Sequence, residues 1–446
     1  MGSLGESAPP YAAIETSHHH HGHIHSAEAS PPTYEAYPTC LPETFPIGRT
    51  KTTPVVSTDL LQAHLTILGA FDALHQKVRQ VGANDPDAAW AVFLARAVYR
   101  FQKWAPCAKF ADTEVSPMPP LDVLMVWHSY LLNPRIYFED GLRVFPNLLA
   151  IPSFPLLYIS TTISPITFLP DTPAHFHKSS WESQTHLPYE YTLITARSET
   201  LDVPCPTCEG EVMVPVPWIT DAGTGFAQRN FHAQCEYCKR SFSREAMCVR
   251  KFCNDVVRVR ESPSNCFLAG TLLNPVTGAR SDADAKLLNE RLILTSIFKD
   301  ETAAGVARKL NFRLRNVRTY TAASFHGILP QRIRRSLACY DDPSPFSLEL
   351  TGAVLRQGSF IQKMVGLGWT APGRFSGSAG DLNDVHVLVR CIARYHAFLD
   401  LMTSGVTFFV PTIDIDLAWH THQLLNNKYT SDTTALIVAS QTTTIK

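Results

Sequence analysis

The feature that most constrains this chain is a long segment that occurs twice. The stretch LDVLMVWHSYLLNPRIYFED at 121–140 aligns without a gap on IDIDLAWHTHQLLNNKYTSD at 413–432. In both stretches an acidic residue precedes a Trp-His pair, and a Tyr and an Asp follow it at the same spacing. The matched pairs are Asp122 with Asp414, Trp127 with Trp419, His128 with His420, Tyr137 with Tyr429, and Asp140 with Asp432. This self-similarity predicts a divergent internal duplication of a helix–loop–helix module.

Each segment carries signals for the start and the end of a helix. We predict Asp122 and Asp414 as N-caps, whose carboxylates accept a hydrogen bond from an unpaired amide of the first turn. Asp416 would also suit the positive end of the helix dipole. Asn-Pro at 133–134 and Asn-Asn at 426–427 would end the helices, because Asn tolerates the left-handed cap conformation and Pro cannot continue a helix.

The histidines do not follow the spacing of a known metal-binding helix. A zincin helix presents His at i and i+4 on one face. His420 and His422 are two residues apart, about 200° around the helix, and therefore face opposite ways. The first segment has Leu124 and Tyr130 where the second has Asp416 and His422. Of these candidate ligands, only one His and one Asp occur in both segments.

We therefore interpret the Trp-His segments as architectural braces for the fold. A buried Trp with a hydrogen-bonded His is the favoured interpretation, since most buried polar side chains are simply satisfied within the protein. Tyr137 and Tyr429 are expected to fold back onto these helices. A metal or ligand site shared by His128 and His420 is the alternative.

Two cysteine pairs give the strongest chemical signal in the chain. CPTC contributes Cys205 and Cys208, and CEYC contributes Cys235 and Cys238. This number and spacing of thiols are typical of a tetrahedral four-cysteine zinc site in which each pair forms a tight turn. Free thiols or a redox pair are the alternatives. Four thiolates would complete the coordination shell, so we expect Zn²⁺ in a structural role within a ribbon-like insert.

Composition describes an ordinary globular chain without a strong global charge. Hydrophobic residues make up 45% and charged residues 18%, and the formal net charge is −1. Such a balance provides no general attraction to nucleic acid or to an anionic membrane. The N-terminus lacks a secretory signal and no uninterrupted apolar run is long enough to span a membrane. We expect an intracellular, cytoplasmic protein whose cysteines are thiols or metal ligands.

These patterns predict a mainly α fold, with two related helical modules and an inserted small β zinc ribbon. The N-terminal region is rich in Pro, Ser, Thr and His, including HHHHGHIH at 18–25, and is expected to be disordered. The predicted divisions are a disordered tail over 1–52, helical module 1 with an irregular extension over 53–198, the ribbon-like insert over 199–262, a helical Arg-rich connector over 263–340, helical module 2 over 341–432, and a tail over 433–446.

The connector has an excess of basic residues, with no Asp or Glu between Thr302 and Tyr340. Such a stretch could contact phosphates. The favoured alternative is that the side chains pair with acidic segments around 282–301 or lie in solvent. The residues concerned are Arg308, Lys309, Arg313, Arg315, Arg318, Arg332, Arg334 and Arg335.

The paired motifs resemble the glycine-rich domain-containing protein-like family of plants and fungi. VPTIDIDLAWHTHQL, PPLDVLMVWHSYLLNPRIYFED and the intervening CPTC…CEYC carry the resemblance, which covers about residues 55–432. LTGAVLRQGSFIQKM is most similar to the fungal branch. The resemblance implies a helical repeat protein, with plant relatives linked to stress and developmental responses, and no established catalytic activity.

The chain departs from that family in two respects. Glycine, at 22 of 446 residues, is not enriched, so the domain that names the family is absent. Similar fungal proteins continue well beyond the second motif, whereas this chain stops after VASQTTTIK, and we expect its C-terminus to be incomplete.

Three functions are compatible with the sequence. We favour a non-enzymatic interaction or scaffold protein with an unidentified protein partner, because the chain lacks a Gly-rich phosphate loop, a nucleophile elbow and a paired-carboxylate signature. The second is a nucleic-acid-binding adaptor that uses the ribbon and the Arg-rich helices. The third is a metal-dependent hydrolase built on Asp416, His420 and His422.

Overall fold

Helices dominate the fold, as the sequence predicts. A computed structural model describes residues 40–109, 117–194, 197–275, 277–293, 302–375, 382–403 and 409–441. Within these ranges the chain forms sixteen α-helices and six short strands, which pair into three two-stranded sheets. None of the helices in these ranges is both long enough and apolar enough to cross a membrane.

The first region begins with two long helices, each capped at its N-terminus by a side chain. Ser57 caps the first by accepting from the amide of Leu60, and Asp85 caps the second by accepting from the amide of Ala88. The irregular extension predicted at the end of module 1 contains three short helices joined by loops. The helices are α1 (Thr58–Val81), α2 (Pro86–Trp104), α3 (Leu121–Leu131), α4 (Pro134–Arg143), α5 (Pro146–Leu149), α6 (Leu156–Thr161) and α7 (His175–Thr185).

Two antiparallel hairpins and a helix follow. Alternating apolar residues on the first hairpin, such as Val203 and Val214, are buried, whereas their neighbours along each strand are more exposed. This alternation is the period-2 pattern of a one-sided sheet. At the N-terminal end lies a further hairpin. The elements are β1 (Phe45–Ile47), β2 (Thr50–Thr52), β3 (Thr200–Pro204), β4 (Met213–Pro217), β5 (His232–Gln234), β6 (Ser241–Ser243) and α8 (Arg244–Glu261).

The rest of the described chain is helical. The connector packs against α8 through its own apolar cluster, which includes Phe252, Val306 and Ile333. The connector helices are α9 (Asp282–Ile293), α10 (Ala303–Lys309), α11 (Leu314–Ala323) and α12 (Gln331–Ala338). The last region contains α13 (Leu350–Gly366), α14 (Leu382–Thr403), α15 (Ile413–Leu424) and α16 (Asn426–Gln441).

The two Trp-His helices, α3 and α15, lie in one hydrophobic core. Buried residues from both ends of the chain, such as Leu68, Trp127, Ile392 and Leu417, belong to the same cluster. Helix α1 contacts α2, α13, α14 and α15 and is central to this arrangement. The core is therefore assembled from residues on both sides of the ribbon and connector.

Two predicted tails are shorter than expected. Residues 45–52 form the β1–β2 hairpin, because Gly48 adopts a positive φ of 58° at the turn and Ile47 is buried. Phe45 stacks on His396 with ring centroids 3.9 Å apart. Helix α16 continues to Gln441, so the prediction of a tail from residue 433 is also wrong over 433–441. The His-rich run at 18–25 lies outside the described residues.

Lys251 on α8 stabilises the loop that leads from the connector into the last region. Its ammonium donates hydrogen bonds to the carbonyl oxygens of Cys339, Asp342 and Phe346 at 2.9, 3.0 and 2.7 Å. Three carbonyls thereby acquire a charged donor in a part-buried position, where such bonds are stronger than in water.

Replacing this ammonium should destabilise the fold. We expect Lys251→Met to lower the free energy of unfolding by about 2–3 kcal/mol, because the carbonyls lose a charged donor. Lys51→Met, at an exposed position on β2, is the control and should change it by less than about 0.5 kcal/mol. Urea unfolding followed by circular dichroism measures both, and equal effects would contradict this role for Lys251.

Candidate metal centre and the Trp-His core

The four predicted cysteines converge at one point. Their Sγ atoms all lie within 4.8 Å of one another. Cys205 and Cys238 are 3.9 Å apart, and Cys208 and Cys235 are 3.8 Å apart. A tetrahedral ion with metal–sulfur bonds of about 2.3 Å requires edges of about 3.8 Å. Among the described residues this is the one group of three or more His, Cys, Asp or Glu side chains that meets this criterion.

The hairpins position the thiols through backbone hydrogen bonds. Cys205 follows β3, and its amide donates to the carbonyl of Val212 at 2.8 Å. Cys235 follows β5, and its amide donates to the carbonyl of Arg240 at 3.0 Å. The amide of Lys239 donates to the carbonyl of Cys235 at 2.8 Å. Lys239 has a φ of 57°, which is uncommon for a residue other than glycine and marks the tightness of this turn.

Polar groups around the sulfurs support a metal-binding role. The hydroxyl of Thr207 lies 3.1 Å from Cys205 Sγ and 3.0 Å from Cys238 Sγ. Burial raises the pKa of the Cys238 thiol, but hydrogen bonds from the Thr207 hydroxyl, the Arg240 amide and the neighbouring cysteine thiols outweigh it and lower the pKa to about 6. Arg250 on α8 donates to the carbonyl of Cys208 at 2.8 Å and so fixes the first turn. Such outer contacts orient ligands and favour the thiolate form.

The two Trp-His helices make matching contacts. Trp127 donates from Nε1 to the hydroxyl of Tyr137 at 3.3 Å, and Trp419 does the same to Tyr429 at 3.3 Å. Each Trp also packs against an aromatic ring of the preceding long helix. These rings are Trp104, with centroids 5.3 Å from Trp127, and Phe398, with centroids 5.7 Å from Trp419. Both tyrosines thus fold back as expected.

His422 and its counterpart Tyr130 occupy the same place in the two segments. The hydroxyl of Tyr130 donates to Asp140 at 2.5 Å. His422 contacts Asp432 through Nε2 at 3.1 Å and the hydroxyl of Tyr395 through Nδ1 at 3.0 Å. Both of its ring nitrogens are therefore used within the protein.

His420 faces a different environment from His422. Its ring packs edge-on against Phe360 of α13 with centroids 4.5 Å apart. The side chains of Asp416, His420 and His422 do not converge as a group of metal ligands. The opposite orientation predicted from their spacing holds, and the hydrolase interpretation loses its proposed ligand set.

Asp122 and Asp414 are not N-caps. The cap positions are Pro120 and Thr412, and neither makes a side-chain cap hydrogen bond. Each Asp lies inside the first turn and forms an ion pair with an Arg of the preceding long helix. Arg100 Nε lies 2.7 Å from Asp122, and Arg394 Nη1 lies 2.9 Å from Asp414. Each Asp carboxylate is therefore paired with an arginine and does not cap its own helix.

The arginines were missed although the sequence contains a signal for them. YRFQKWA and ARYHAFL, at 99–105 and 393–399, place Arg100 and Arg394 at the same position of two similar helices. The matched pair Asp122 and Asp414 therefore has a matched pair of basic residues, Arg100 and Arg394, in the preceding helices.

The Asn residues after the two helices start the next helix rather than end the first. Asn133 is the cap residue of α4, with an extended φ of −120°, and Pro134 is its first residue. Asn426 is the first residue of α16. The predicted left-handed caps are therefore wrong at both sites, since each pair of helices is joined by an immediate turn.

A histidine outside both motifs joins the two segments. His64 on α1 contacts His128 between their Nε2 atoms at 2.9 Å, and its Nδ1 lies 2.9 Å from the hydroxyl of Thr421. Because Thr421 donates to the carbonyl of Leu417 at 2.7 Å, it accepts from His64. His64 then accepts from His128, which leaves the Nδ1 atom of His128 without a hydrogen-bond partner among the described residues.

These imidazoles are neutral because they are buried. Burial lowers the pKa of His128 to about 3 and that of His420 to about 4, and the nearby His420 contributes to the shift at His128. Burial also lowers the pKa of His64, with His128 and His420 as further causes. The sequence predicted hydrogen bonding for the Trp-His histidines but gave no reason to select His64 from the apolar stripe of α1.

The Arg-rich connector is partly neutralised by acids that were not predicted. Arg308 pairs with Glu209 at 2.5 Å, Arg313 with Glu245 at 2.9 Å, and Arg318 with Asp341 at 2.8 Å. These acids belong to the ribbon, to α8 and to the loop after α12, rather than to the segment 282–301. Arg315, Arg334 and Arg335 remain exposed.

Comparison with known proteins finds a family match over part of the chain. The family described as glycine-rich domain-containing protein-like matches residues 290–432, a range that includes the second Trp-His segment. The match supports the resemblance to that family seen in the sequence. Glycine-rich domain-containing protein 2 of Arabidopsis thaliana is 48% identical over 60 residues, which cover 12% of this chain and 8% of that relative. No solved structure matches the chain. Within the glycine-rich domain-containing protein-like family, assignment to a fungal branch stays a prediction.

The two Arg–Asp pairs should differ in their contribution to stability. Side-chain exposures are 10% and 1% for Arg100 and Asp122, but 52% and 17% for Arg394 and Asp414. We expect Asp122→Asn to lower the free energy of unfolding by about 3 kcal/mol, because it leaves a buried guanidinium without its counter-charge. Asp414→Asn should cost less than about 1 kcal/mol. Urea unfolding of both variants tests this, and equal losses would refute the ranking.

Buried neutral histidines should also make the fold sensitive to acid. The unfolded chain takes up a proton on each of them below about pH 6.5, whereas the folded chain does not, so stability falls as pH decreases. We expect His128→Gln to reduce the loss of stability between pH 7 and pH 5 by about 2 kcal/mol. Its amide can still donate to His64. His175→Gln, at an exposed site, is the control, and an unchanged pH dependence in His128→Gln would contradict the assignment.

Proposed function

We propose that this chain is a non-enzymatic interaction scaffold whose ribbon is held by a structural zinc ion. The observation that carries the proposal is the closed set of Cys205, Cys208, Cys235 and Cys238. Four protein ligands fill a tetrahedral shell and leave no position for substrate or for an activated water. The metal would supply folding energy to a small β region and no chemistry.

Zinc is favoured by the donor set. Soft thiolates with tetrahedral geometry select zinc or an iron–sulfur centre over the hard ions magnesium and calcium. Two short Cys-x-x-Cys turns on adjacent hairpins fit a single zinc ion with bonds of about 2.3 Å. An intracellular location, where thiols stay reduced, is part of this proposal.

A scaffold role is supported by how the remaining polar groups are used. Both ring nitrogens of His422 and of His396 form hydrogen bonds within the protein. In each Trp-His helix the Trp also donates to a Tyr, and the Asp forms an ion pair with an Arg. Polar groups that already have partners within the protein stabilise the fold and are not available to bind a substrate. The proposed partner is another protein, bound by a helical framework that the metal and these contacts make rigid.

The matching contacts of α3 and α15 support a second element of the proposal, an internal duplication. Modules over 53–198 and 341–432 would each consist of a long helix, a Trp-His helix and a following helix that carries the Tyr and the Asp. Conservation of the Trp–Tyr hydrogen bond and of the Arg–Asp pair is expected if both derive from one ancestor. The insert over 199–262 and the connector over 263–340 then separate them.

Nucleic-acid binding is the less favoured alternative. Arg315, Arg334 and Arg335 are exposed and could contact phosphates. The acidic partners of Arg308, Arg313 and Arg318 reduce the positive surface that such binding needs. Retention on immobilised nucleic acid that is lost with modest added salt would support the alternative.

Metal analysis tests the zinc proposal. We expect about one zinc per chain in purified full-length protein, lost in Cys208→Ser and Cys235→Ser, with a lower melting temperature because metal binding is coupled to folding. Cys107→Ser, outside the cluster, should keep the metal. Protein that is folded and free of zinc would refute the structural role. Affinity purification from cells tests the scaffold, and failure to recover a reproducible partner would count against it.

A further inference from the structure

A pocket lies where the two Trp-His regions and the connector meet. It is bounded by the turn between α3 and α4, the end of α14, the outer face of α16 and the loop around Leu273. Its volume is about 600 Å³. Pockets for small molecules have volumes of about 300–1,000 Å³ and are mostly apolar with a few polar groups. The size is therefore that of a ligand site.

The walls of the pocket are mostly apolar, although several threonines line them. Leu399 and Met402 line one side. Three threonines of α16 line another, but their hydroxyls donate back to their own helix. Thr430 bonds to the carbonyl of Asn426 at 2.9 Å, Thr433 to that of Tyr429 at 2.7 Å, and Thr434 to that of Thr430 at 2.7 Å. Hydroxyls used in this way present little hydrogen-bonding capacity to the cavity.

The wall also contains hydrogen-bond donors. Arg135 is the single charged residue among the described residues that line the pocket. Its guanidinium donates to the carbonyls of Asn274 and Pro275 at 2.6 and 2.9 Å. Carbonyls leave its charge uncompensated, and a guanidinium has five N–H donors, of which these bonds use two.

Tyr429 supplies a second donor. Its oxygen accepts from Trp419, as described above. The counterpart Tyr137 also donates its own proton, to the carbonyl of Leu148 at 2.9 Å. Within the described part of the chain the Tyr429 hydroxyl makes no such donation. Tyr429 lines the pocket, and the donor of its hydroxyl is unused within the described residues.

We propose that this pocket binds an apolar carboxylate of the medium-chain fatty acid type. The carboxylate would accept hydrogen bonds from Arg135 and Tyr429, which offer donors and no competing acid. The alkyl chain would lie along Leu399 and Met402, whose side chains it would cover. This site is separate from the zinc centre, and its proposal stands independently of the scaffold role.

Matched ligands separate recognition of the carboxylate from simple apolar binding. Dodecanoate and dodecanol have the same chain and differ in charge. Titration calorimetry with purified full-length protein, below the concentration at which dodecanoate forms micelles, should show one saturable dodecanoate site and at least tenfold weaker binding of dodecanol. Equal affinities would overturn the proposed carboxylate recognition, and absence of saturable dodecanoate binding would overturn the site.

Variants locate the site. Arg135→Gln should weaken dodecanoate about tenfold and leave dodecanol unchanged, and Tyr429→Phe should weaken dodecanoate severalfold. Thr433→Phe should fill the cavity and abolish binding of both ligands. Arg315→Gln, at an exposed arginine outside the pocket, should bind both as the parent does. Circular dichroism confirms that each variant is folded, and dodecanoate binding that survives in both Arg135→Gln and Thr433→Phe would refute the proposal.

Discussion

Most polar side chains buried in the shared core find a partner within the protein, and these pairings organise the structure around α3 and α15. An unpaired buried group costs about 1–3 kcal/mol. The Trp Nε1–H therefore meets a Tyr hydroxyl, and the first-turn Asp meets an Arg. His64 joins His128 to Thr421 and so links the two segments across the core. These contacts fix which face of each helix points inward.

The two Trp-His segments differ in how their last matched acidic residue, Asp140 or Asp432, finds its partners. Asp140 is fully buried and accepts hydrogen bonds from Tyr130 and from the amide and hydroxyl of Ser347. Its counterpart Asp432 is partly exposed and contacts Lys428 as well as His422. The region beside the first Trp-His helix is covered by the connector and the loop that follows it. A pocket remains where the helix that follows the second Trp-His helix faces the turn between α3 and α4.

The ribbon, which contains the β3–β4 and β5–β6 hairpins, needs a source of stability other than a large apolar core. Its hairpins are short and bury a small apolar cluster, to which Val203, Val214 and Phe242 belong. Small β units of this kind rarely bury enough apolar surface to be stable without help, and a metal or a disulfide commonly supplies it. Four converging thiols match that need. Helix α8 then carries the ribbon into the connector through Arg250 and Lys251, so the ribbon is tied to the helical body by polar anchors.

The sequence by itself determined the helical class, the two matched Trp-His segments and the four cysteines of one cluster, because spacing and local chemistry encode these features. Only the tertiary structure decided that Asp122 pairs with Arg100 instead of capping its helix, that His64 joins the two segments, and that the N-terminal hairpin packs on α14. Each of these depends on residues far apart in the chain, and the burial that makes a distant partner necessary is a property of the assembled core.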